Sequence, residues 1–195
     1  MTISTSDRRA ITSHPIADVL AERWSPRSFD PTAEIADAQF TTLLEAARWA
    51  PSASNLQPVR FIAARRGTAE FDAIVDTLVG FNQVWAVRAS ALVVGIAVTA
   101  GPDGTPYRWA EYDLGQTIAH LSVQAHSDGL HVHQIGGFEP QALARHFGLA
   151  DTLVAVSVTA IGTRGDAAAL VEPYLSREVA DRQRLPLDDL VLVFA

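Results

Sequence analysis

The chain contains no cysteine and no lysine, and its one methionine is Met1. Without cysteine there is no disulfide framework, no thiolate nucleophile and no sulfur-ligated metal, and a reducing compartment, the cytoplasm, is the expected address. Acidic residues outnumber basic ones 22 to 15, giving a formal net charge of −7. That surplus argues against a nucleic-acid or anionic-membrane partner, so an anionic ligand has to be met by a local cluster of cations. G-x-G-x-x-G, P-loop, G-x-S-x-G and H-E-x-x-H patterns are all missing, which removes the main support for dinucleotide-fold, kinase-like, hydrolase and zinc-protease readings. The longest apolar run, "ALVVGIAVTA" from Ala91 to Ala100, is about half of what a bilayer span needs. The opening "MTISTSDRRAITSH" has no apolar centre, so a loose arm over 1–13 is expected rather than a signal peptide.

What is present is enough for a sizeable core: 195 residues, 48% hydrophobic, with no repeat or linker, read as a single domain over 1–195. "SHPIADVLAERW" predicts a first short helix with Ser13 as cap and Pro15 in its first turn. "DAQFTTLLEAARWAPS" sets Phe40, Leu43, Leu44 and Ala47 on one helical stripe, with Asp37 as cap and Pro51 as the stop. Strands are expected at "VRFIAA", "SALVVGIAV" and "TLVAVSVTAIG", and helices at "TAEFDAIVDTLV", "EYDLGQTIAHLSVQAHSDG" and "EPQALARHFG". Gly129 and Gly148 stand where the last two of these helices should end. An α+β domain of three layers follows, with an apolar "LVLVFA" tail that must pack on something.

Four stretches could carry chemistry. In "ERWSPRSFDP" side chains two apart share a face, and Pro26 biases Ser25 toward the extended region, so Arg23, Ser25 and Arg27 form a candidate anion clamp. "DRQRLP" repeats the alternation with Arg182 and Arg184. The alternative for either pair is surface salt bridging, with Asp30 or Glu22 beside the first and Asp181, Asp188 or Asp189 beside the second. "APSASNLQP" gathers Pro51, Ser52, Ser54, Asn55 and Gln57 into a loop of neutral donors and acceptors, or a plain polar turn. "HQIGGFEP" offers Gly136 and Gly137, where backbone N–H groups can approach a flat ligand, or an ordinary loop. His131 and His133 share a face and could bind metal, but no third ligand stands at a suitable spacing and no metal is expected.

In this order, the stretches resemble the nitroreductase family of flavin mononucleotide (FMN) oxidoreductases, from about Pro15 to Pro186. "AARWAPSASNLQP", "FNQVW" ahead of "ALVV", "YDLGQTIAHLSVQAHSDGL" and "RQRLP" all fit. The resemblance implies a three-layer α/β/α fold with a mixed central sheet, and a homodimer with FMN at its interface and the C-terminal extension packed on the partner. It implies that Arg23, Ser25 and Arg27 hold the phosphate and ribityl chain and that Arg182 and Arg184 close on the phosphate. Pro51, Ser52, Ser54 and Asn55 would come from the partner subunit, Gln57 would also contact the cofactor, Asn82 would reach the polar ring edge, and Gln134, Ile135, Gly136 and Gly137 would line the ring. The flavin N5 would carry the chemistry, with NADH or NADPH as donor and a nitroaromatic, quinone or similar acceptor in a ping-pong cycle. A flavin store or redox sensor, and a reductase dedicated to one metabolite, stand as alternatives. The chain departs from the family pattern at Val59, where a Trp often follows "QP", at Gly136, where well-known members carry Glu, and in the short stretch 99–112, which implies a more open pocket lined by "GPDGTPYRW".

Overall fold

In the computed structural model, which describes residues 8–194, four strands form one antiparallel sheet in the order β1-β2-β4-β3. They are β1 (Val59–Arg65), β2 (Ala91–Val98), β3 (His131–Ile135) and β4 (Leu153–Gly162). The alternation of side chains along a strand explains the layers. In β2, Leu92, Val94 and Ile96 pack with Phe71, Ile74 and Leu143 on one face. Ala91 and Val93 pack with Leu43 and Leu121 on the other. Helices therefore cover both faces: α3 (Ala69–Thr77) and α6 (Pro140–Phe147) on the first, α2 (Asp37–Arg48) and α5 (Ala110–Ser127) on the second. The three-layer α+β expectation holds.

The local signals act as their chemistry dictates. Thr68 accepts the Phe71 N–H at 3.2 Å and caps α3. Gly148 ends α6 in the left-handed region at φ 62°. Asp37 is the first residue of α2 rather than its cap, and its carboxylate pairs with Arg65 at 2.8 Å. Gly95 lets α5 approach the sheet: a Cβ there would lie 3.0 Å from Ser157 Oγ and 3.2 Å from Leu114 Cδ1.

Two expectations are corrected. The first helix, α1 (Asp18–Glu22), begins after an extended Ala17 and not at Ser13, because exposed Ile16 gains no burial from carrying the helix back across Pro15. The sheet of this chain is antiparallel throughout, not mixed, since the one apolar segment left to add a strand stays off it: Leu192 and Phe194 are 92% and 95% exposed. Of the arm expected over 1–13, residues 1–7 lie outside the described residues; Ala10 donates its N–H to Ala21 O at 2.8 Å. Strand β3 and the short helices α4 (Asn82–Ala86), α7 (Tyr174–Val179) and α8 (Leu187–Leu190) carry no clear periodic signal. No described helix is long and apolar enough to cross a membrane.

Gly95→Val should push α5 off the sheet and cost about 1–3 kcal/mol. A lowered urea midpoint at an unchanged slope is the expected result in equilibrium unfolding.

Candidate functional site

Burial along residues 23–28 alternates as an extended segment demands: Arg23, Ser25 and Arg27 are half-buried, while Trp24, Pro26 and Ser28 are buried. Arg23 Nη1 lies 3.4 Å from Ser25 Oγ, on the shared face. The "RQR" segment comes to the same place. A cavity of about 190 Å³ is lined by Arg23, Trp24 and Ser25 together with Arg182, Arg184, Arg8 and Arg177.

The carboxylates beside the first arginine pair are engaged elsewhere. Asp30 accepts from the N–H and hydroxyl of Thr32 at 2.8 and 2.7 Å, and Glu22 pairs with Arg9 at 2.7 Å. None of the five cavity arginines is ion-paired to a carboxylate among the described residues. Burial holds the guanidinium groups of Arg8, Arg23 and Arg182 below their usual range, and neighbouring guanidinium groups push Arg23 and Arg182 further down. Arginine stays charged at such shifts, so the cavity concentrates positive charge with no internal counter-ion in contact.

Three anchors hold this arrangement. Glu178, on α7 and 1% exposed, accepts the backbone N–H of Arg27 at 2.8 Å and of Ser28 at 3.2 Å. Arg182 donates to the carbonyls of Arg8, Ala21 and Arg23 at 2.6, 2.7 and 2.9 Å, so it ties tail, arm and clamp segment together as well as lining the cavity. His133 on β3 meets Pro26 O through Nδ1 at 2.9 Å; a carbonyl only accepts, so Nδ1 carries the proton. Arg8 rests on the face of Trp24 at 4.3 Å and donates to Ala180 O.

The other expected residues fall into two groups. Asn82 Nδ2 donates to Gly137 O at 3.1 Å, and a Cβ on Gly137 would come within 2.7 Å of that nitrogen, so the "FNQ" and "IGG" stretches meet closely and a side chain at 137 would displace the Asn82 amide. Gly136 is open, with nothing within 4 Å of a Cβ position. Ile135 is buried in the core, and Gln134 reaches Ser122 Oγ at 2.6 Å, so along Gln134–Gly137 the exposed glycines leave backbone open to a ring. In the 51–57 loop, Ser54, Asn55 and Gln57 adopt φ of 52°, 55° and 49°, conformations uncommon without glycine. The loop is held by Ser52 Oγ, which accepts the Gln57 N–H at 3.0 Å, and by Asp113, which accepts the Ala53 N–H at 3.1 Å. Pro51, Ser54, Asn55 and Gln57 stand exposed, and none of the loop lines the arginine cavity. Arg27 does not line it either; its backbone is fixed by Glu178, and its half-buried guanidinium feels Arg177.

Comparison with known proteins adds to this geometry. The Nitroreductase family profile matches residues 20–94, which carry the clamp segment, the 51–57 loop and Asn82. An uncharacterised 15.4 kDa protein from the ask 5′ region of Mycolicibacterium smegmatis is 34% identical over 68% of this chain and 93% of its own length. A crystal structure of an FMN-containing oxidoreductase matches at 32% identity and a TM-score of 0.89, covering 96% of each chain. This chain belongs to the nitroreductase family. YdgI of Bacillus subtilis (strain 168), provisionally named an NAD(P)H nitroreductase, is 26% identical over 92% of this chain and 98% of its own. At 22% identity and a TM-score of 0.75, a Staphylococcus epidermidis ATCC 12228 protein shares the nitroreductase fold over 95% of this chain and 100% of its own.

Arg8, Arg177, Glu178 and Asp113 escaped the sequence reading. Arg8 and Arg177 lie outside any alternating pair, and Glu178 and Asp113 look like ordinary helix-surface acids until the fold buries them.

Both motif histidines are pushed down to about 4 by burial; His131 is lowered further by Arg164 and His126, while the Pro26 contact partly offsets the effect for His133. The unfolded chain, with histidines near their ordinary value of about 6.5, then binds more protons than the folded one between these limits. Stability should fall as pH drops from about 6.5 toward 5, by up to about 1.4 kcal/mol per pH unit for each histidine. His133→Gln should flatten that slope in urea midpoints measured across the window; an unchanged slope would show that His133 titrates alike in both states.

Proposed function

We propose that the chain is a single FMN-binding domain that works as a homodimer, an FMN-dependent NAD(P)H oxidoreductase of the reducing cytoplasm. The observation that carries the reading is the cavity lined by five arginines, none of them ion-paired to a carboxylate among the described residues. A phosphate monoester is the group such a cavity suits. Guanidinium groups offer it paired, parallel hydrogen bonds, each worth about 1.5–3 kcal/mol. Arg23, Ser25, Arg182 and Arg184 would hold the phosphate and the ribityl chain above it, and Arg8 and Arg177 complete the cation ring. Arg27 stands outside the cavity, and its guanidinium, beside Arg177, would add only longer-range positive charge.

The rest of the site fits a flat, neutral, hydrogen-bonding ring. Asn82 keeps one amide hydrogen and its carbonyl oxygen for the ring's polar edge once Gly137 O is satisfied. The exposed Gly136–Gly137 backbone brings N–H groups where a side chain would block approach. The 51–57 loop lies outside the arginine cavity of its own chain, and its strained, exposed Ser54, Asn55 and Gln57 suit a ligand held between two copies. An apolar tail at Leu192–Phe194 that finds no cover in its own chain suits the same assembly.

When bound, FMN would supply the redox chemistry, hydride transfer from NAD(P)H to an acceptor such as a quinone or nitroaromatic in a ping-pong cycle. The protein's part is to position and to stabilise charge. Backbone N–H groups at Gly136–Gly137 and the Asn82 amide would face the ring where negative charge develops, as preorganised dipoles. Burial pushes both motif histidines down to about 4, so neither carries a positive charge near neutral pH.

Arg184→Ala or Arg8→Ala should weaken FMN binding about tenfold to over a hundredfold in a flavin-fluorescence titration. Undiminished affinity in both variants would place the phosphate elsewhere. Turnover is tested anaerobically: NADH or NADPH mixed with the yellow protein should bleach the absorbance near 450 nm within seconds. Persistent colour with both donors would leave a flavin carrier and not an enzyme.

A further inference from the structure

Asp113 stands in the first turn of α5 and is only 2% exposed, yet no cation pairs with it among the described residues. Its Oδ2 accepts the Ala53 N–H at 3.1 Å. Taking a carboxylate out of water is costly unless donors meet it, and the positive end of the helix dipole offsets only part of that cost. The bond to Ala53 is what the buried charge provides in return.

That bond joins a strained loop to a rigid helix. Ala53 directly precedes Ser54, which with Asn55 and Gln57 holds a positive φ; such conformations persist only where the surroundings impose them. The other hydrogen bonds of residues 51–57 stay within the loop or run to its neighbours. Asn55 donates its N–H to Ser52 O at 3.0 Å, Gln57 donates to Ser52 Oγ at 3.0 Å, and Arg60 donates to Gln57 O at 3.2 Å. Among the described residues, the Asp113 bond is the loop's one hydrogen bond to a distant element. The anchor itself is fixed: Leu114 and Leu121 of α5 are buried, and Leu114 is the residue that a Cβ on Gly95 would meet. The exposed side chains of Ser54, Asn55 and Gln57 thus take their position from α5 through one carboxylate.

We propose that Asp113 is a positioning residue for the cofactor and that it acts in trans: by holding the Ala53 N–H it sets Ser54 and Asn55 for an FMN seated in the arginine cavity of the other copy. The inference rests on the reading that FMN lies between two copies. Asp113 need not touch the flavin. It fixes the loop before the ligand arrives, so ordering the loop is no longer a cost of binding. The arginine cavity and the Asp113 brace of one chain then serve different sites of the same dimer.

The test reads FMN affinity of the full-length protein by flavin fluorescence. Asp113→Ala should raise the Kd about tenfold, whereas Asp113→Asn, whose amide oxygen still accepts the N–H, should stay within about twofold of wild type. Ala53→Pro removes the same bond from the other side. Proline suits that place, because Ala53 opens a short 3₁₀ turn after an extended Ser52 at φ −143° and ψ 154°. It should match Asp113→Ala, and the double variant should be no worse than either single one. If Asp113→Ala fails to fold, Ala53→Pro takes its place throughout. The decisive arm co-expresses differently tagged Asp113→Ala and Arg184→Ala chains and isolates the mixed dimer. One of its sites then joins an intact cavity to an intact loop, so half of the sites should bind FMN with the wild-type Kd although neither parent homodimer does. A mixed dimer with no such site would overturn action in trans. Wild-type affinity in both Asp113→Ala and Ala53→Pro would overturn the positioning role, as would a loss in Asp113→Asn equal to that in Asp113→Ala. A wild-type protein that binds no FMN, or binds it with the solution mass of one chain, would instead remove the reading beneath the proposal, and the first titration with its mass measurement separates that case.

Discussion

A carboxylate buried away from water has to be met by donors, and Glu178 is met by the backbone N–H groups of Arg27 and Ser28. That contact joins a helix near one end of the chain to an extended segment near the other. It fixes which way the segment's alternate side chains point, and so holds Arg23 and Ser25 toward the cavity. Removing either partner would leave a buried charge or two buried amides unsatisfied, which is far costlier than the bond itself is stabilising. The carbonyls bound by Arg182 and the Pro26 contact of His133 repeat the pattern from two other elements. The clamp segment is therefore held by its backbone, which leaves its side chains available.

This separation of labour explains how an acidic protein keeps a dense cluster of cations. Five guanidinium groups around one cavity repel one another, and partial burial makes the repulsion stronger than it would be in water. The folded state carries that cost because two anchors are not cations, a buried carboxylate and a neutral imidazole, while the third, Arg182, is itself held by three main-chain carbonyls. The region is accordingly one where function and stability pull in opposite directions.

Much of this was legible in the sequence because it rests on short-range rules. The period of two around Pro26, the loop residues of "PSASNLQP", the paired glycines and the apolar stripes of α2 and α5 all appear where local chemistry sets them. What was not legible depends on contacts between distant segments. Nothing in "SREVADR" marks Glu178 as buried, and nothing in the polar arm marks Arg8 as a neighbour of Arg184. The mixed sheet, which the family resemblance implied, did not hold among the described residues: all three strand pairings are antiparallel, and the apolar tail pairs with neither edge strand, β1 or β3. Strand β3 was hidden by its histidines, whose polarity masks an alternation with buried Val132.

The span of the clamp's contacts has a consequence for how the molecule forms. The bonds from Arg182 to Arg8 O and from Glu178 to the Arg27 N–H close loops of 174 and 151 residues. Such closures have a high entropic cost for a disordered chain and come cheaply only after the sheet has already brought the ends together. The arginine cavity is thus among the last parts of the fold to assemble and the first to open, and a ligand that bridged its arginines would act as a cross-link between distant segments of the chain.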